Sequence, residues 1–213
     1  MTRLLIVRHG QSMANVGEIF AGHYDVPLSP LGREQAERTA AFLTAHYAVD
    51  RVYSSDLDRA METAACTAKK LHLTVTPVPA LREIFAGEWE GKRFDRLAAE
   101  YPADFGKWLA DVGESACTGG ESVAEVSERV VGALERIAAE NDGRTVVVAT
   151  HALPVRVFQC FVQGVPACDM KDVPWVSNAS VTEATFENGK FTLVSVGADA
   201  HLAGLKTGLP TNV

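Results

Sequence analysis

Four apolar residues, Leu4 to Val7, run without a break into Arg8, His9 and Gly10. A continuous apolar run of this length suits a strand buried on both faces, as in a parallel sheet with helices on either side. Glycine at position 10 predicts a sharp backbone turn. Arg8 and His9 are then left at the carboxyl end of the strand, where ligands bind in open α/β sheets. The pattern recurs: Thr145 to Ala152 reads TVVVATHA, a second apolar run with a histidine at its end. Between the two, Val52 to Thr63 predicts a short strand and a helix start with Arg59 in its first turn, on the same edge. A chain that delivers Arg8, His9, Arg59 and His151 to one sheet edge has few folds open to it.

The rest of the pattern supplies the sheet. Ser29 and Pro30 read as the N-cap and first position of a helix reaching about His46. Arg51 to Ser54 reads as a strand. Ser55 with Asp58 resembles a capping box, and Leu57, Ala60, Met61, Ala64, Ala68 and Leu71 form the expected buried face of the next helix. Thr74 to Val78 is another short strand, so the order is βαβαβ, which implies parallel pairing. Two helical pieces follow, Phe94 to Tyr101 and Asp104 to Val112, then a flexible joint at Cys117 to Gly120. A capping box at Ser122 and Glu125 opens a long helix ending near Asn141, and a further helix runs from about Pro154 to Gln163. Ser180 to Phe186 and Phe191 to Val196 read as strands joined by an Asn188–Gly189 hairpin turn. Gln11 to Ser29, broken by glycines and a proline, reads as an active-site loop with one helical turn. No interdomain linker is visible. Residues 1–213 read as one domain, and 92–120 is the only candidate cap.

Composition excludes several partners. The formal net charge is −7, a poor match to nucleic acid, which demands a basic face. No run approaches the ~20 apolar residues that cross a bilayer. The N-terminus starts a strand almost at once and lacks the pattern of a signal peptide. Cys66, Cys117, Cys160 and Cys168 form no Cys-x-x-Cys pair, so reduced structural thiols in a cytoplasmic protein are expected, without a metal role.

If Arg8, His9, Arg59 and His151 converge, the guest is a phosphoryl group, because guanidinium forks match its oxygens. A histidine in a tight turn can donate its Nδ1–H to a carbonyl and keep Nε2 for attack, which favours His9 as nucleophile. Neighbouring cations keep it neutral. His151 is then a donor to the phosphoryl oxygens. Glu83 is placed to protonate the leaving alkoxide and later to deprotonate water. Neither step requires a metal. Asn15 offers an amide to an anion, although alone it is more often a turn residue. Glu88 and Glu90 read as solvated or ion-paired. His46, His72 and His201 read as surface or packing residues; His23 differs in lying on the loop that could line the pocket. Trp89, Trp108, Phe85 and Phe105 read first as packing and second as walls for an apolar substrate.

These residues resemble a known family. RHG at Arg8–His9–Gly10, GHYDVPLSPLGREQA at Gly22 to Ala36, SSDLDRAMETA at Ser54 to Ala64, LREIFAGEWEG at Leu81 to Gly91 and TH at Thr150–His151 occur in the order found in the histidine phosphatase superfamily. That superfamily is also called phosphoglycerate mutase-like, and the resemblance runs from about Leu4 to His201. It implies a three-layer α/β/α sandwich with a mostly parallel central sheet and a small helical cap. It further implies His9 as the phosphate-accepting nucleophile, Arg8, Arg59 and His151 as the phosphate pocket, and Glu83 as proton donor. Asn15 matches a substrate-side phosphate contact, with Gln11 and Gly22 beside it. Ala152 stands where the family commonly has glycine. The short, mixed-charge segment 92–120 and GEWEG at Gly87 to Gly91 resemble the phosphatase branch. The resemblance therefore implies a phosphomonoester hydrolase acting on a small phosphorylated metabolite, without a cofactor. A cofactor-dependent phosphoglycerate mutase and a phosphoryl-binding module without turnover stay open, as does a homo-oligomer.

Overall fold

The computed structural model describes residues 1–208; 209–213, the end of the span read as one domain, lie outside the described residues. The first strand, β1 (Thr2–Arg8), explains the architecture. Leu4, Leu5, Ile6 and Val7 are all buried, and successive side chains point to opposite faces. Leu4 and Ile6 enter one core with residues from two helices of the chain's second half; Leu5 and Val7 enter another with residues from two helices of its first half. A strand with two apolar faces needs a helical layer on each, and the result is a three-layer α/β/α arrangement.

The loop after β1 holds a short helix, α1 (Met13–Gly17), and a short strand, β2 (Ile19–Phe20). Next come α2 (Pro30–His46), β3 (Arg51–Ser54), α3 (Asp58–Leu71) and β4 (Val75–Pro77). The segment that follows contains β5 (Lys92–Arg93), α4 (Phe94–Glu100) and α5 (Pro102–Ala110). The chain closes with α6 (Val123–Glu140), β6 (Thr145–Thr150), α7 (Ala152–Gln163), β7 (Val181–Glu187) and β8 (Lys190–Ala198). The central sheet has the order β4-β3-β6-β1-β7-β8. The first four of these strands are parallel, and β7 and β8 run antiparallel at one edge. α2 and α3 cover one face, α6 and α7 the other.

Several local expectations change. Ser55 and Asp58 make no capping box: the N-cap of α3 is Leu57, without a side-chain hydrogen bond. Its buried face is Arg59, Ala60, Thr63, Ala64, Thr67 and Ala68, while Met61 and Leu71 are only half-buried. The rotation occurs because Arg59 and Thr63 are drawn toward the β1 loop by hydrogen bonds, which outweigh burial of Met61. α5 begins at Pro102, since proline suits the first helical position. The Cys117–Gly120 joint is a closed turn, with Gly120 N–H donating to the Cys117 carbonyl and Cys117 N–H to that of Glu121. The pairing of β2 with β5, which ties the first loop to the segment before α4, has no strong sequence signal, each strand being two residues long. The Asn188–Gly189 turn is as expected, with φ of 52° and 76°, the values of a type I′ turn.

Candidate active site

β1 and β6 are parallel neighbours with Arg8 opposite Thr150, and His9 N–H donates to the Thr150 carbonyl at 2.9 Å. Whatever follows each strand therefore emerges side by side. His9 and His151 are both buried, with ring centroids 5.1 Å apart and planes at 61°. The βαβαβ order alone does not give this adjacency, because β6 is inserted between β1 and β3 from late in the chain.

The His9 ring has one available state. Its Nδ1 lies 2.7 Å from the Gly10 carbonyl, which can only accept, so Nδ1 carries the proton and the neutral ring keeps its lone pair on Nε2. Burial holds the pKa well below 6.5. The charges of Arg59 and Arg8, the cause the sequence suggests, push the same way but rank behind it, and the Gly10 bond opposes them. Gly10 does not adopt a left-handed φ. It is required by close approach: a Cβ there would stand 2.4 Å from the Gly32 carbonyl oxygen at the start of α2. The turn is held from the other side by Thr63, whose hydroxyl receives the Gly10 N–H at 3.1 Å and donates to the Arg59 carbonyl at 2.7 Å.

His151 Nε2 is 2.8 Å from Ser55 Oγ, while its Nδ1 is buried without a partner. Burial, then Arg59 and His9, hold its pKa well below 6.5. Arg8 donates to the Val176 carbonyl but leaves its buried Nε unpartnered. Burial lowers its pKa to about 10, so it stays charged at neutral pH. Arg59, on the first turn of α3, donates to the carbonyls of Gly22 at 2.7 Å and Tyr24 at 3.3 Å. Burial lowers its pKa too, opposed by Glu83, Asp25 and Glu90. Two buried guanidinium groups and an orphaned imidazole nitrogen at adjacent strand ends suit an anion with several oxygens.

Glu83 accepts from the N–H of Ile84 at 3.0 Å and from that of Leu153, in the first turn of α7, at 3.4 Å. Its backbone carbonyl receives Arg129 Nη2 at 2.8 Å and His23 Nε2 at 2.9 Å. His23 thus holds the backbone of Glu83 rather than lining the pocket.

A cavity of about 360 Å³ opens on this cluster. Arg8, His9, Arg59 and Glu83 line it, together with Asn15, Gly22 and Ala152. His151 packs edge-on against His9, directly beside the lining. Gln11 is not brought there: its side-chain oxygen receives the Ser29 hydroxyl at 2.7 Å, which fixes the start of α2. Asn15 Oδ1 is taken by Ser12 and Asn178. Gly22 has a φ of 52°, and a Cβ there would meet Glu90 at 2.4 Å. Glu90 is not a solvated carboxylate; it receives the N–H groups of His23, Ala86 and Tyr24 and shapes the loop that Arg59 grips. Phe105 and Trp108 do line the cavity, whereas Trp89 is buried behind them and Phe85 is exposed.

Two supports go unseen in the sequence reading. Ser55 is hidden behind its apparent capping pattern. Asn178, a single asparagine in the loop before β7, donates to the His9 carbonyl at 3.1 Å and carries no local signal.

Known proteins resemble this chain in sequence and in fold. The model of the histidine phosphatase superfamily (branch 1) matches residues 4–199. Phosphoserine phosphatase 1 of Hydrogenobacter thermophilus is 32% identical over 209 residues, 95% of each chain. The structure of Bacillus stearothermophilus YhfR superposes with a TM-score of 0.91 at 28% identity, covering 95% of this chain and 100% of that one. A mycobacterial glucosyl-3-phosphoglycerate phosphatase, solved with VO3, superposes with a TM-score of 0.84 at 30% identity over 92% of this chain and 98% of its own. A family match over nearly the whole chain, with the same fold beneath it, makes this protein a member of the histidine phosphatase superfamily, branch 1.

Proposed function

We propose that this phosphomonoesterase cleaves a small phosphorylated metabolite through a phosphoryl group carried on His9. The neutral His9 ring, with Nδ1–H held by Gly10 and Nε2 unbonded, is the observation that carries the reading. Nε2 attacks phosphorus, the P–O bond to the alcohol breaks, and Glu83 delivers a proton to the departing alkoxide. Glu83, now a carboxylate, removes a proton from water as its oxygen attacks the phosphohistidine; the P–N bond breaks and inorganic phosphate leaves. Arg8 and Arg59 hold the equatorial oxygens. The Ser55 hydroxyl holds His151 through Nε2, and in the tautomer protonated on Nδ1 the unpartnered Nδ1–H is the group that donates to the phosphoryl oxygens. Such fixed donors stabilise the charge that moves onto the oxygens during transfer. Asn15, Gly22 and Ala152 serve on the substrate side, and residues 92–120, which supply Phe94, Phe105 and Trp108 to the wall, serve as the cap. The four cysteines are free, one of them exposed, which suits a reducing cytoplasm.

Mixing enzyme with an excess of a phosphate ester and quenching in base should trap about one acid-labile, base-stable phosphoryl group per active chain. His9→Ala should abolish both label and turnover. Turnover that persists in purified His9→Ala would refute the scheme.

A further inference from the structure

The cavity lining combines a cationic cluster with a set of apolar and aromatic side chains. Besides the phosphate-side residues and the polar Ser12 and Asn15, the lining is mainly apolar and includes Phe20, Phe94, Phe105, Trp108, Leu109 and Trp175; among the described lining residues Arg8 and Arg59 are the only arginines or lysines. The aromatic rings brace one another: Phe20 meets Trp108 edge-on at 5.3 Å and Phe94 stacks with Phe105 at 6.3 Å. Two further acids, Glu18 and Asp95, also line the cavity. The nearest counter-charge to them, Arg93, is already shared between both at 3.3 Å and is itself no part of the lining. A carboxylate or second phosphate on the substrate would meet aromatic faces or like charge, and burying an ion without a partner is costly.

We propose that the substrate is the phosphate monoester of an uncharged, apolar alcohol, aromatic in its best form, carrying no second acidic group. The inference rests on the phosphatase reading above. It also separates this chain from a mutase, which must hold a substrate that is both phosphate and carboxylate.

The test compares three alkyl esters with matched primary leaving groups: 2-phenylethyl phosphate, 3-phosphoglycerate and phosphoserine. The wild-type protein should show kcat/KM about tenfold or more higher for the phenylethyl ester, as burial of a phenyl ring predicts. Leu109→Arg places a cation on the wall at a position already 51% exposed, so it leaves the core unchanged. It should shift the ratio toward 3-phosphoglycerate by about fivefold or more. Equal or better turnover of the acidic esters, or an unmoved ratio in Leu109→Arg, would overturn the substrate class. Base-quenched labelling on the same samples separates the two readings. Label on His9 with acidic esters preferred sinks this inference alone, while no label and no turnover with any ester sinks the phosphatase reading as well.

Discussion

At the level of single residues, the site depends on hydrogen bonds that hold each imidazole. The Gly10 carbonyl, which can only accept, sets the His9 tautomer, and the Ser55 hydroxyl holds the His151 ring through Nε2. Ser55→Ala removes the hydrogen-bond partner of His151 Nε2 without touching the cavity wall. The ring can then turn or exchange tautomers, and the barrier rises with little change in binding. We expect kcat to fall about 10- to 100-fold with KM nearly constant, measured in steady state, because small misplacements near the chemistry cost that much. Ser55→Thr keeps the hydroxyl and should recover most of the loss. A KM effect larger than the kcat effect would contradict this role. The Nδ1–H bond and the neutrality of His9 are legible from its turn and its neighbouring cations, whereas burial as the leading cause and the contact of His151 with Ser55 are not, since both depend on how distant parts of the chain pack.

Among the elements, α2 is set by contact rather than by propensity. Its first turn presses Gly32 onto the β1 loop, where a Cβ would lie 2.0 Å from the Gln11 carbonyl oxygen. That oxygen is backbone and cannot swing aside. Gly32→Ala should therefore destabilise the protein by about 1–3 kcal/mol or more, read from urea denaturation, although alanine is the better helix former. α7 is governed by a similar constraint. Arg156 is buried within it and donates to the carbonyls of Val173 at 2.8 Å and Met170 at 2.7 Å, with its guanidinium 4.2 Å from the Trp175 ring. A charged residue inside an apolar helix thus holds the loop that presents Trp175 to the cavity and the Val176 carbonyl to Arg8. The strong helices and the hairpin were legible because capping residues and turn glycines act locally. The β2–β5 pair and the rotated face of α3 were not, because both answer to contacts made across the fold.

For the molecule as a whole, the two buried histidines link folding to pH. Each has a folded pKa below its ordinary 6.5, so below that value the unfolded chain binds protons that the folded chain refuses. Their contribution is complete above about pH 6.5 and is lost as the pH falls. The unfolding free energy should drop with a slope approaching about 1.4 kcal/mol per pH unit for each histidine. Urea midpoints taken at several pH values between 7.5 and 5 check this. The double variant His9→Gln/His151→Gln should flatten the slope, and an unchanged slope would contradict it. The sequence by itself determined that two apolar strands end in histidines and that an arginine opens a helix beside them, because strand burial and helix starts are written in local runs of residues. Only the tertiary structure decided that β6 inserts beside β1, that Ser55 and Asn178 bond to His151 and His9 while the Gln11 side chain turns to Ser29, and that the cavity lining is rich in aromatic rings and, among the described residues, holds no arginine or lysine besides Arg8 and Arg59. Those outcomes depend on which surfaces meet, and no stretch of chain carries that information until the sheet has closed around it.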